Sequence, residues 1–203
     1  MTDLDRALAE ITAIRSQVAR SVEFRGYGPA TLALTGGLAF LAAALQALWI
    51  AEPPTAIAHY LTLWTATAVI SVTLVGVEMI TRSRRVHSDL AEKMIMTAVE
   101  QFVPAGVAGL LLTAVLLRQG PESAWMLPGL WQIMFSLGIF ASCRYLPRAI
   151  FAVGVWYLAA GLACLAFAAG DYALSPLAMG VPFGVGQLLA AALLQWRSGE
   201  RDD

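Results

Sequence analysis

Charge is scarce in this chain, and so are histidine, cysteine and lysine. Only 13% of the 203 residues are charged, against roughly 25% in an average soluble domain. The two histidines and two cysteines form no C-x-x-C or H-E-x-x-H pattern, which gives no motif for a structural metal, a haem or a zinc protease. A G-x-S-x-G motif and a phosphate-binding glycine loop are also missing. We therefore expect no enzymatic activity, no catalytic residues and no cofactor.

Apolar residues make up 59% of the chain and are concentrated in six long stretches. Each stretch has about 20 residues or slightly more, which as a helix spans a hydrocarbon core of roughly 30 Å. The sequence predicts an all-α polytopic membrane protein in which residues 26–203 form a bundle of six transmembrane helices within the lipid bilayer. The predicted spans are 29–51, 55–77, 94–117, 125–143, 149–168 and 174–196.

The thirteen cationic residues are distributed unevenly between the two ends of these spans. Only Arg118 falls at the end where spans three and four meet, and the other twelve fall on the opposite side. An excess of arginine and lysine marks cytoplasmic loops, so both termini are predicted to be cytoplasmic. The arginine-, alanine- and leucine-rich composition is typical of a bacterial chain, which places it in the inner membrane. With a net charge of −1 and its basic residues at membrane boundaries, the chain is not expected to bind nucleic acid.

Residues 1–25 are predicted to form a cytoplasmic amphipathic helix. Apolar residues recur there at three- and four-residue steps or their sum, at Leu4, Leu8, Ile11, Val18 and Val22. A helix that lies on anionic lipid is usually basic and rich in aromatic residues. Residues 3–23 instead contain three arginines, four acids and no Trp or Phe. We therefore expect this segment to contact protein, and self-association of the chain stays open.

One acidic residue lies inside an apolar span rather than at its end. Glu100 is six residues past the apolar start at Met94, about 8–10 Å into the core by helical rise. A carboxylate at that depth costs several kcal/mol unless it is protonated, paired or facing water. Pro104 cannot donate to the carbonyl of Glu100, and Gln101 adds an amide on the same turn. The sequence thus predicts either a structural acid or a site for a cation, a proton or a hydrogen-bonding ligand.

The segment around Pro104 has a partial counterpart in span six. Residues 103–111 and 181–189 share six identities in nine, and Pro104 aligns with Pro182. Because spans three and six cross the membrane in opposite directions, a true correspondence would indicate two inverted three-span halves, as in many secondary transporters. Gln187 would then be the second half's contribution to a polar site with Glu100 and Gln101. Spans one and two show no convincing match to spans four and five.

The remaining polar and small residues are interpreted as structural. Glu78 precedes Arg82 by four residues, the favourable order for an interfacial ion pair that ends span two. Gln46, Gln132 and Ser136 are interpreted mainly as interhelical packing groups. Small residues at four-residue spacing, which allow close helix packing, occur as Ala105 with Gly109, Ala159 with Ala163, and Gly180 with Gly184.

Two functions stay open at this stage. The first is a non-catalytic membrane component, such as a partner, sensor or regulatory subunit, that uses residues 3–23 to bind another protein. The alternative is a small secondary transporter or proton-coupled permease that uses Glu100 beside the Pro104 kink. The first is favoured because the spans contain no clear polar pathway.

Overall fold

A computed structural model of the chain describes residues 28–50, 56–86, 89–143, 149–168 and 172–199. These residues form six α-helices, one short 3₁₀-helix and no β-strand. The α-helices are α1 (Pro29–Trp49), α2 (Ile57–Val86), α3 (Asp89–Gln119), α4 (Leu127–Ser142), α5 (Ile150–Phe167) and α6 (Pro176–Gly199). The 3₁₀-helix, Pro121–Met126, leads into α4. The predicted amphipathic helix of residues 1–25 lies outside the described residues.

Each of the six predicted spans corresponds to one helix that is long and apolar enough to cross a membrane. The prediction of an all-helical chain with six candidate spans is confirmed. The helix bounds differ most from the predicted spans for α2 and α3, because these two helices are longer than the apolar stretches within them. Polar residues at a membrane boundary can continue a helix, because a helix satisfies its own backbone hydrogen bonds in water and in lipid alike.

The helices pack in a ring that follows the chain. Each helix contacts the next, and α6 returns to pack extensively on α1, while α4 packs mainly on α5 and α3. Burial divides the helices into two groups. Within the most apolar 18 residues of each candidate span, 33–44% are buried in the spans of α1, α4, α5 and α6, but only 11% in that of α2 and 6% in that of α3. The last two helices therefore form the periphery of the bundle.

Two helix pairs approach closely through glycine. An added Cβ at Gly129 of α4 would lie 2.8 Å from the carbonyl oxygen of Gly161 in α5, and one at Gly161 would lie 2.7 Å from that of Gly129. Between α1 and α6, a Cβ on Gly180 would meet Ala43 at 2.5 Å. The predicted packing role of Gly180 and Gly184 is therefore confirmed, since a Cβ on Gly184 would overlap the Phe40 ring.

The same prediction is wrong for span five. Ala159 and Ala163 are both exposed on the outer face of α5, and Gly161 is the residue that makes the close contact. In span three, Gly109 is buried and faces Met134 of α4 at ordinary contact distance, while Ala105 is half-buried.

Aromatic rings join four helices near the centre of the bundle. Phe135 of α4 contacts Phe102, Tyr157 and Phe183 edge-on, with ring centroids 4.7–5.5 Å apart. These rings belong to α3, α5 and α6, so Phe135 connects the peripheral α3 to the inner helices. Edge-to-face pairs of this kind contribute about 0.5–1.5 kcal/mol each beyond the area they bury.

Candidate functional site

Three backbone carbonyl groups accept hydrogen bonds from other helices. They are spaced four residues apart, the first just before α6 and the other two in its first half. Gln46 of α1 donates to the Leu174 carbonyl at 2.6 Å, and Gln132 of α4 donates to the Ala178 carbonyl at 2.8 Å. Trp156 of α5 donates to the Pro182 carbonyl at 2.9 Å. We call these three acceptors the α6 carbonyl row. The Ala178 and Pro182 members lie on one side of the helix, because four residues make about one turn. Each of the three inner neighbours of α6 is thus attached to a different turn.

The bond to Ala178 follows from the sequence of α6. Pro182 lies inside the helix and has no N–H to donate to the carbonyl four residues earlier. An unsatisfied carbonyl away from water costs several kcal/mol, so another donor must replace the missing one. The fully buried Gln132 side chain supplies that donor from α4.

Both the nitrogen and the oxygen of the Gln46 side-chain amide form hydrogen bonds. While its nitrogen donates to Leu174, its oxygen accepts a hydrogen bond of 2.8 Å from the Trp64 indole of α2. The Leu174 carbonyl is available because the Ala178 N–H donates to Ser175 instead, at 3.1 Å to its carbonyl and 3.3 Å to its hydroxyl. Gln46 therefore joins α1, α2 and the start of α6.

Gln187 lies one turn beyond the carbonyl row. Its side chain interacts with the Tyr157 hydroxyl, which also donates weakly to the Phe183 carbonyl at 3.5 Å. Gln187 is half-buried and packs beside Gly36 of α1. The neighbours of Gln187 on other helices therefore come from α1 and α5.

The other three predicted site residues are on the outer face of α3. Glu100, Gln101 and Pro104 are all exposed, whereas Ala98, Phe102 and Gly109 face the bundle. The structure keeps the first three together on one turn. It does not bring them to Gln187, which is turned toward the interior of the bundle.

The level of Glu100 along the bundle can be related to the end of α4. Ser142, the last residue of α4, donates to the Ala98 carbonyl at 3.1 Å. Glu100 follows Ala98 by two residues, which is about 3 Å along the helix axis. Glu100 therefore lies near the level at which α4 ends.

The segments aligned around Pro104 and Pro182 have different surroundings. Pro182 is buried and Pro104 is exposed. A Cβ on Gly184 would overlap Phe40, whereas one on Gly106 would meet nothing within 4 Å. The identity of the two segments in sequence therefore does not extend to their packing.

Glu78 has a contact that its spacing from Arg82 does not predict. Its carboxylate accepts a hydrogen bond of 3.2 Å from the backbone N–H of Gly28, the residue before α1. A negative charge is favourable at the N-terminus of a helix, so Glu78 stabilises the start of α1. The side chain of Arg82 lies outside the described residues, and the ion pair stays a prediction.

Three buried polar atoms have no hydrogen-bond partner within the part of the chain that the structure describes. They are the hydroxyl of Tyr60, the amide oxygen of Gln132 and the hydroxyl of Ser136. Tyr60 packs in the same cluster as Met179, which follows Ala178. The sequence pattern indicated mainly a packing role for Gln132 and Ser136. The signal that points to Gln132 is Pro182, since a proline in a buried helix requires a donor from elsewhere.

Comparisons with known proteins identify no relative. The chain matches no protein family, no curated protein and no solved structure. Among the described residues, no group of three His, Cys, Asp or Glu side chains is placed to hold a metal ion. The arrangement of polar groups is therefore the basis for a proposed function.

Proposed function

We propose that this chain is a multi-pass protein of the bacterial inner membrane with both termini in the cytoplasm. The six apolar helices support insertion into a membrane. Twelve of the thirteen cationic residues fall on the same side as the two termini, and this excess supports the cytoplasmic orientation.

Within that membrane, we propose a non-catalytic role as a partner, sensor or regulatory component of a complex. This role is supported by the contrast between the polar groups inside the bundle and those on its outer face. Gln46, Gln132 and Trp156 hold interior helices together. Glu100 and Gln101, in contrast, are exposed on α3, one of the two peripheral helices of the bundle.

The exposed carboxylate of Glu100 is the observation that carries this proposal. A charged side chain on the lipid-facing side of a helix is costly unless it reaches water or a partner. A membrane helix that offers a hydrogen-bond donor to Glu100 and Gln101 would satisfy them, and polar groups of this kind promote helix association. Residues 3–23 would supply a second contact on the cytoplasmic side.

Site-specific photo-cross-linking in native membranes tests this role. A cross-linker at Val107, seven residues after Glu100 on the same face of α3, is expected to give a discrete protein adduct. The matched control is Val155 on the outer face of α5, because the two side chains are similarly exposed, at 49% and 46%. We expect Glu100→Leu to weaken the Val107 adduct and deletion of residues 1–23 to remove the partner from the purified complex. Equal adducts at both positions, or co-purification unchanged by the deletion, would contradict the proposal.

The transporter alternative is supported by a different feature of the same turn. Glu100 presents a carboxylate next to its own carbonyl, which Pro104 leaves without a helical donor. Such a turn could exchange protons or bind a cation. In proteoliposomes, Glu100→Gln would then abolish proton-coupled flux while the helical content is retained. Unchanged flux in that variant would argue against transport through Glu100.

A further inference from the structure

Two unpartnered polar atoms lie one turn apart on the inner side of α4. The side chains of Gln132 and Ser136 are both 0% exposed. The amide nitrogen of Gln132 is used at Ala178, but its oxygen has no partner within the described residues, and neither does the Ser136 hydroxyl. Residues four apart on a helix lie on the same face, so the acceptor and the hydroxyl belong to the same face of α4.

The free hydroxyl of Ser136 differs from other hydroxyls in these helices. Most hydroxyls within membrane helices donate to a carbonyl of their own helix. Those of Thr62, Thr67, Thr73, Thr81, Thr113 and Ser142 donate to the carbonyl four residues earlier. The Ser136 hydroxyl is not directed to its own helix in this way. Leaving it and the Gln132 oxygen unbonded in the interior would destabilise the bundle.

We infer that the Gln132 amide oxygen and the Ser136 hydroxyl together bind one small neutral molecule. This molecule donates a hydrogen bond to the oxygen of Gln132 and accepts one from Ser136. Its chemical class is water or a neutral solute of similar size, because α4 contains no charged residue to balance an ion. The site adjoins Ala178 and the Pro182 break, where the backbone of α6 lacks one of its own donors.

Thermal unfolding of the full chain in detergent micelles tests this site. If Ser136 holds a ligand, Ser136→Ala removes a hydrogen bond and lowers the melting temperature by about 2–4 °C. The matched control is Ser142→Ala, the other buried serine of α4, whose hydroxyl donates to the carbonyls of Ala98 and Gly138. We expect the two variants to behave alike. A melting temperature that is unchanged or raised by Ser136→Ala alone would overturn the inference.

A second comparison shows whether the two side chains share the ligand. The shift caused by Ser136→Ala should fall by at least half in a Gln132→Met background, because the ligand has already lost its other contact. If Gln132→Met does not fold, Gln132→Glu serves instead, since a neutral carboxylic acid keeps a donor for Ala178 and an acceptor. With Glu at that position, the full Ser136→Ala shift should persist. Additive shifts for Gln132→Met, or loss of the shift with Glu, would contradict a shared ligand.

Formamide at millimolar concentration distinguishes the two sources of this chemistry. If the site takes a solute, formamide raises the melting temperature of the wild type but not of Ser136→Ala. If the site takes water, formamide has the same effect on both proteins, and the difference between them persists.

Discussion

Gln132 of α4 donates its amide hydrogen to the carbonyl of Ala178 in α6, at 2.8 Å, where Pro182 leaves the helix without its own donor. The bond joins two helices that otherwise share few contacts. The backbone hydrogen bonding of α6 around Pro182 therefore depends on a side chain from α4.

Removal of this donor should destabilise the bundle. In Gln132→Leu, the Ala178 carbonyl stays buried without a partner, and we expect a loss of about 1–3 kcal/mol. The average interhelical hydrogen bond in a membrane contributes only about 0.6 kcal/mol, so a loss at the upper end would indicate that no other group reaches the carbonyl. Unfolding of the purified protein in mixed micelles measures the difference.

The control for this prediction restores the backbone donor. In a Pro182→Ala background, the N–H of residue 182 can donate to Ala178, so the loss caused by Gln132→Leu should become much smaller. The same loss in both backgrounds would show that Gln132 stabilises the protein by packing rather than by replacing the missing hydrogen bond.

A second double-mutant cycle addresses Gln46 and Trp64. Their side chains are joined by a hydrogen bond of 2.8 Å and are almost fully buried. Trp64→Phe removes the indole donor, and Gln46→Leu removes its acceptor together with the donor to Leu174. We expect a coupling free energy of about 0.5–2 kcal/mol in unfolding measurements. A coupling near zero would mean that this bond does not hold α2 to α1.

Two glycine substitutions should have opposite effects on stability. Gly161→Ala places a methyl group against the backbone of Gly129, which cannot move without separating α4 from α5. We expect a loss of about 1–3 kcal/mol. Gly106→Ala meets nothing within 4 Å and should stabilise α3 by up to about 1 kcal/mol through helix propensity. Melting temperatures of the two variants check the pair, and a similar effect of both would contradict the packing described for α4 and α5.

The sequence predicts the six helices well because each apolar stretch is long and is bounded by turn residues or charge. It does not predict which face of each helix is turned inward. In a membrane bundle both faces are apolar, so hydrophobic periodicity gives little information, and small or polar residues mark the contacts. Gly180 and Gly184 follow this rule, whereas Ala159 and Ala163 have the same spacing and lie on the outside.

The position of the polar groups could be predicted only in part. Glu100 is conspicuous in the sequence because it is charged, yet it is exposed on α3, near the level at which α4 ends. Gln132 is inconspicuous, yet it is fully buried and bonded to the break in α6. Its role depends on the distance between two helices that are far apart in sequence, and this distance is not encoded in the local pattern of either segment.

The membrane topology is the claim on which the other proposals depend, and paired reporter fusions test it most directly. A green fluorescent protein fused after Asp203 should fluoresce, and alkaline phosphatase at the same position should be inactive, because the C-terminus is expected in the cytoplasm. Alkaline phosphatase inserted after Gln119, between α3 and α4, should be active. An active phosphatase after Asp203, or a chain that dissolves without detergent, would contradict the account.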